Sequence, residues 1–123
     1  MADVAEEPLL VIVRHSPYGS SLARTGLDTA LATAAFGQSV ALLFLGDGVL
    51  QLLPEQDSTA IEQRNVGKVL ASLPLYDIES VFVDAEAANR YRIDPDKSPV
   101  AATLIDAAGI QALINRCRPV LGF

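Results

Sequence analysis

The side chains able to act as nucleophile, base or metal ligand are few. The chain holds one histidine, His15, and one cysteine, Cys117. A lone imidazole excludes a cluster of histidine metal ligands, and a lone thiol excludes an intrachain disulfide. His15 follows the apolar run Leu9-Leu10-Val11-Ile12-Val13. That puts it just past a strand's carboxyl end, where open α/β sheets place their ligands. It is a candidate loop contact, as proton carrier or interface residue, against the plainer reading of a solvent-facing imidazole. Cys117 falls on the apolar side of the last expected helix. A reactive thiol needs an exposed, electropositive setting. Arg116 and Arg118 adjoin it, but sequence neighbours on a helix point apart, so a small buried hydrophobe is the preferred reading.

Gly46-Asp47-Gly48 also follows a strand and raises the question of a phosphate-binding turn. The dinucleotide fingerprint needs three spaced glycines opening directly into a helix, and a Walker-type loop needs its lysine. Here Val49-Leu50-Gln51-Leu52-Leu53-Pro54 follows instead. The glycines are better read as permissive backbone for a sharp exit from the strand. Asp47 and Asp84 both sit near expected strand ends, yet nothing in their spacing makes them converge as an acid–base pair. Asp47 is kept as a candidate loop contact. No catalytic, cofactor-binding or metal-binding residue is assigned.

These residues must be positioned by a chain of 123 residues, half of them apolar, enough for one domain with a real core. A mean hydropathy of +0.32 is high for a small soluble monomer and suggests surface buried against another chain. Net charge is −6, so direct nucleic-acid binding by this chain alone is not expected. The start is acidic (Asp3, Glu6, Glu7), unlike the basic opening of a signal peptide. Apolar runs are too short to span a bilayer. The expectation is a cytoplasmic protein without membrane contact: a flexible acidic tail over 1–7, then one domain over 8–123.

The first apolar run suits a strand buried on both faces. Ser20 or Ser21 can cap a helix whose small-residue face is Ala23, Leu27, Ala30, Leu31 and Ala34, with Gly37 as its stop. Val40 to Leu45 is the second strand. Thr59-Ala60-Ile61-Glu62 has the form of a capping box, and Ile61, Val66, Val69, Leu70 and Leu73 stripe the helix that Pro74 ends. Val81 to Val83 is the third strand, Ala85 to Arg90 a short helix, and Val100 to Leu104 a weaker strand. Asp106 caps a last helix with Ile110, Leu113, Ile114 and Cys117 inside, and Val120-Leu121 can add an edge strand. This alternation of strands and helices predicts an α/β fold with a sheet sandwiched by helices.

Three features carry a family resemblance: the Gly-Leu-Asp of the first helix (Gly26 to Asp28), the Asp-Gly-Val-x-Gln-Leu-Leu-Pro loop (Asp47 to Pro54), and Leu-Tyr-Asp-Ile-Glu (Leu75 to Glu79) before the third strand. Together they resemble the DsrE/DsrF-like sulfur-relay family, on its TusC/DsrF branch, over nearly the whole chain. The resemblance implies a single three-layer α/β/α domain with a mostly parallel five-stranded sheet. It implies TusB-like and TusD-like partner chains in a dimer of heterotrimers. Such a complex passes persulfide sulfur toward the 2-thio group of wobble uridine in tRNA; in DsrF-like relatives, a DsrEFH-type assembly serves dissimilatory sulfur oxidation. The TusD-like subunit carries its sulfur on a cysteine at the end of the third strand. The matching stretch here, Val81-Phe82-Val83-Asp84, has no thiol, which implies a non-catalytic subunit of a catalytic complex.

An apolar loop with no chemical group to present then reads as contact surface. Val49, Leu50, Leu52 and Leu53 are expected to divide between this domain's core and a partner chain, with Tyr76 as a further candidate contact. Two other classes of function compete: an autonomous sulfurtransferase using Cys117 or His15, and a small-molecule-binding module using the Gly-Asp-Gly turn.

Overall fold

The computed structural model describes residues 8–16, 22–53 and 61–123. The acidic tail, the Ser20/Ser21 cap and the capping box from Thr59 to Glu62 rest on positions outside these. The elements run β1 (Leu9–Val13), α1 (Leu22–Ala35), β2 (Val40–Phe44), α2 (Ile61–Ser72), β3 (Ser80–Asp84), α3 (Ala85–Arg90), β4 (Thr103–Ile105), α4 (Ala107–Arg116) and β5 (Val120–Gly122). The sheet order is β4-β3-β2-β1-β5, and every pairing is parallel. The chain therefore steps outward from β1 to β4, then crosses back through α4 to place β5 on the far side of β1.

Side-chain alternation divides the core between the two faces of the sheet. Val11 and Val13, Leu42 and Phe44, and Val81 and Val83 pack with Leu27 and Ala30 of α1, Leu70 of α2 and Ala87 and Ala88 of α3. Leu10, Ile12, Ala41 and Leu43 point the other way, onto Leu113 of α4 and Cys117. Continuous apolar strands are thus explained by burial on both sides. Gly37 stops α1 with a φ of +84°, its N–H donating to the Ala34 carbonyl. Asp106 Oδ1 caps α4 by accepting from Gly109 N at 2.8 Å.

Two expectations are corrected. The fourth strand begins at Thr103, later than Val100. Val100 is buried, but its N–H donates to Ser98 Oγ at 3.2 Å, so that segment is held as a turn. The exit from β2 is longer than a tight Gly-Asp-Gly turn: Gly46–Leu52 forms a 3-10 helix. Among the described residues, no helix is long and apolar enough to cross a membrane.

Candidate functional site at the carboxyl ends of the strands

The chain changes direction across the sheet between β1 and β5, and the carboxyl ends beside such a switch are where α/β sheets bind ligands. Arg14 and His15 leave β1 at this point. The 3-10 helix after β2 closes directly over it. Leu45 N donates to the Val13 carbonyl at 3.0 Å, and Gly48 N donates to the Leu45 carbonyl at 3.0 Å. A Cβ at Gly48 would lie 1.9 Å from Val13 O and 2.7 Å from Val13 C. Only glycine lets the two backbones approach so closely.

Gln51 completes the closure. It is 1% exposed, and its Nε2 donates to the His15 carbonyl at 3.1 Å. Its Oε1 and His15 Nδ1 are both buried without a hydrogen-bond partner among the described residues. The half-buried His15 therefore meets the loop through its backbone carbonyl. In the sequence Gln51 stands only as one letter of the family-like loop motif, with no role attached to it. Its one signal was a polar residue inside an otherwise apolar run, which inside a core must find a partner.

The two carboxylates near the strand ends are engaged in holding loops. Asp84 Oδ2 accepts from Gly46 N at 3.3 Å, and Oδ1 caps α3 by accepting from Glu86 N and Ala87 N at 3.2 and 3.4 Å. Asp47 accepts a hydrogen bond from the Tyr91 hydroxyl. That bond to Asp47 raises the Tyr91 pKa above its ordinary value, helped by desolvation and by the carboxylate's charge, and opposed by Arg90. The Arg90 guanidinium stands 5.7 Å from the Tyr91 ring centre. No group of three or more potential metal-ligating residues exists among the described residues.

Cys117 lies at the opposite end of the sheet, between α4 and β5. It is 0% exposed and packs with the Leu10–Leu43 face. Burial pushes its thiol pKa up, and the charges of Arg116 and Arg118 only partly oppose this. A thiol that is enclosed and held protonated is a poor nucleophile.

The expected contact residues fare differently. Val49 and Leu52 are fully buried in this chain's own core, which removes them from any outward surface. Leu53 is partly buried against that core, and Leu50 is half-buried. The sequence could not make this division because a 3-10 helix turns residues inward at a spacing that neither strand nor α-helix would give. Tyr76, in the 3-10 turn Leu73–Tyr76, is 43% exposed. His15 and Asp47 both lie at the strand carboxyl ends, His15 bonded through its carbonyl to Gln51 and Asp47 through its carboxylate to Tyr91.

The arrangement is that of a three-layer α/β domain whose strand ends are closed by loop contacts and offer no thiol. The same architecture is found in the YchN protein of Escherichia coli, whose crystal structure matches with a TM-score of 0.77 at 16% identity, covering 95% of this chain and 99% of that one. The DsrE/DsrF-like family model matches residues 8–123, and the chain belongs to that family. Among its relatives, a TusC homolog of Pseudomonas aeruginosa is 31% identical over 115 residues, covering 94% of this chain and 97% of that protein. TusC of Escherichia coli O127:H6 is 36% identical over 110 residues (88% and 92%). TusC of Klebsiella pneumoniae is 41% identical over 84 residues (68% and 71%).

Proposed function

We propose that this chain is the TusC-type subunit of a sulfur-relay assembly that delivers persulfide sulfur for 2-thiolation of wobble uridine in tRNA, and that it contributes structure while a partner carries the reactive sulfur. The observation that carries the second half is the state of the only thiol: Cys117 is enclosed, protonated and remote from the strand carboxyl ends. A relay step needs a thiolate as attacking group. At the end of β3, where the resemblance would put a sulfur-carrying cysteine, Asp84 instead caps α3 and tethers the loop after β2. Identity to TusC proteins along most of the chain supports the first half and favours tRNA thiolation over the sulfur-oxidation assembly.

In this reading the partners are TusB-like and TusD-like chains, joined as a dimer of heterotrimers in the cytoplasm. The test is co-expression with the TusB-like and TusD-like chains of the same genome, followed by native mass spectrometry. The account expects one complex containing all three chains. A wild-type chain that stays apart from both partners contradicts it.

A further inference from the structure

The strongest unassigned feature lies at the amino-terminal end of the sheet, away from the loops after β1 and β2. Two segments enter neighbouring strands there. The end of α1 leads through Phe36 into β2, and the 3-10 turn Leu73–Tyr76 leads into β3. β2 and β3 are hydrogen-bonded neighbours, and α1 packs against the 3-10 turn. Phe36 is 88% exposed, Leu75 85% and Tyr76 43%. Single exposed apolar residues are ordinary, but large ones brought together at one end of a domain mark a contact site.

The turn is held rigidly. Leu73 and Ile78, on either side of the exposed pair, are buried. Ile78 N donates to the Leu73 carbonyl at 3.1 Å, and Asp77 N donates to the Pro74 carbonyl at 3.0 Å. Asp77 itself sits at a φ of 62°, the left-handed region that aspartate enters more readily than most residues. Leu75 and Tyr76 are therefore presented in a fixed geometry, which lowers the ordering cost of binding.

Charge tells what kind of surface fits. The charged residues directly following the exposed pair, Asp77 and Glu79, are both acidic and exposed. Arg116 and Arg118 flank the start of β5, three strands away from β3, and in the connection that enters β4, beside β3, the exposed Arg92 and Lys97 are balanced by the exposed Asp94 and Asp96. Arg118 is turned back onto the carbonyls of Asn115 and Cys117. Lys68, in the penultimate turn of α2, is the nearest cation in sequence.

We propose that Phe36, Leu75 and Tyr76, with the acidic rim of Asp77 and Glu79, form a docking surface for a partner subunit whose contact face is apolar at its centre and rimmed with lysine or arginine. The proposal rests on the reading of the chain as a subunit of a relay complex, and adds the surface and the chemistry of what meets it. Complementary rims set the rate and specificity of association, while the buried apolar anchors set its strength.

The experiment compares wild-type chain with a Phe36→Ser/Leu75→Ser variant and an Asp77→Asn/Glu79→Gln variant, each titrated against the co-purified TusB-like and TusD-like chains. Both apolar positions are mostly in solvent, so the melting temperature should stay within about 2 °C of wild type. Asparagine keeps the left-handed geometry at position 77. The apolar variant should weaken assembly by roughly 30-fold or more, as loss of central anchors does. The rim variant should associate more slowly at about 0.05 M salt and lose most of the salt dependence seen with wild type. Wild-type assembly with both variants unaffected overturns the docking surface and leaves the subunit reading standing. Absence of wild-type assembly overturns the subunit reading, and the docking proposal with it. Self-association of the isolated chain that the apolar variant abolishes, with the mixed complex untouched, would make a second copy the occupant and overturn the proposal.

Discussion

Gly48→Ala is the substitution whose effect the structure specifies most closely. The new Cβ would start 1.9 Å from the Val13 carbonyl oxygen, and ordinary contact needs about 3.2 Å, so the backbones must separate by roughly 1.3 Å. Neither partner is a flexible side chain. The shift pulls the 3-10 helix off β1, and with it Val49 and Leu52, both fully buried. It also strains the bond from Gln51 to the His15 carbonyl. Overpacking against a rigid neighbour costs about 1–3 kcal/mol, and partial exposure of two apolar side chains adds about 1–2 kcal/mol more. A total near 3–4 kcal/mol is a large part of a typical domain's stability. At about 4 °C per kcal/mol for a chain of this size, melting should fall by roughly 12–16 °C. Gly37→Ala is the contrast: its φ is positive at +84° but nothing lies within 4 Å of the added Cβ, so only about 1–2 kcal/mol of backbone strain is expected. Thermal melts followed by circular dichroism, with urea midpoints alongside, read both. Gly48→Ala melting within about 3 °C of wild type, or above Gly37→Ala, would refute the close-approach argument.

Three further outcomes follow from named contacts. Asp84→Ala removes the cap of α3 and the tether to Gly46; a loss of about 1–2 kcal/mol in urea unfolding is expected, and no change would mean the cap is idle. The Tyr91 phenol is held above its ordinary pKa chiefly by its bond to Asp47. The stability this bond lends is therefore fully present below the unfolded-state value near 10, and is lost as pH rises through the higher folded value. Ultraviolet titration should show Asp47→Ala bringing the Tyr91 transition down in pH; an unmoved transition would count against the bond. The Cys117 thiol should resist a disulfide reagent in the native chain and react fully in denaturant, whereas fast native labelling would show it accessible.

The strands were legible because burial on both faces leaves continuous apolar runs, and Leu9 to Val13 and Val40 to Phe44 carry them. Local chemistry marked the ends of helices at Gly37 and Asp106. The sheet order was not legible, since it depends on contacts between segments distant in the chain. The loop after β2 was only half legible. Its apolar character was evident, but which residues turn inward depends on a 3-10 rise that leaves no period in so short a run. The role of Gln51, visible only as a letter of the loop motif, was hidden for a related reason: its partner is a backbone carbonyl far away in sequence, at His15. Nothing local in the sequence marks Phe36 and Leu75 as exposed, and only the fold places them at the surface. The absence of a thiol at the strand carboxyl ends was legible outright from the residue count.

The claim on which the account depends is that this chain supports sulfur transfer without carrying sulfur. The direct measurement is persulfide mapping by mass spectrometry on the reconstituted three-chain complex after sulfur loading, with tRNA 2-thiouridine followed in parallel for wild type and Cys117→Ser. The account predicts no persulfide on Cys117 and equal thiolation by both complexes. Persulfide on Cys117, with thiolation lost in the variant while the complex remains assembled, would contradict it.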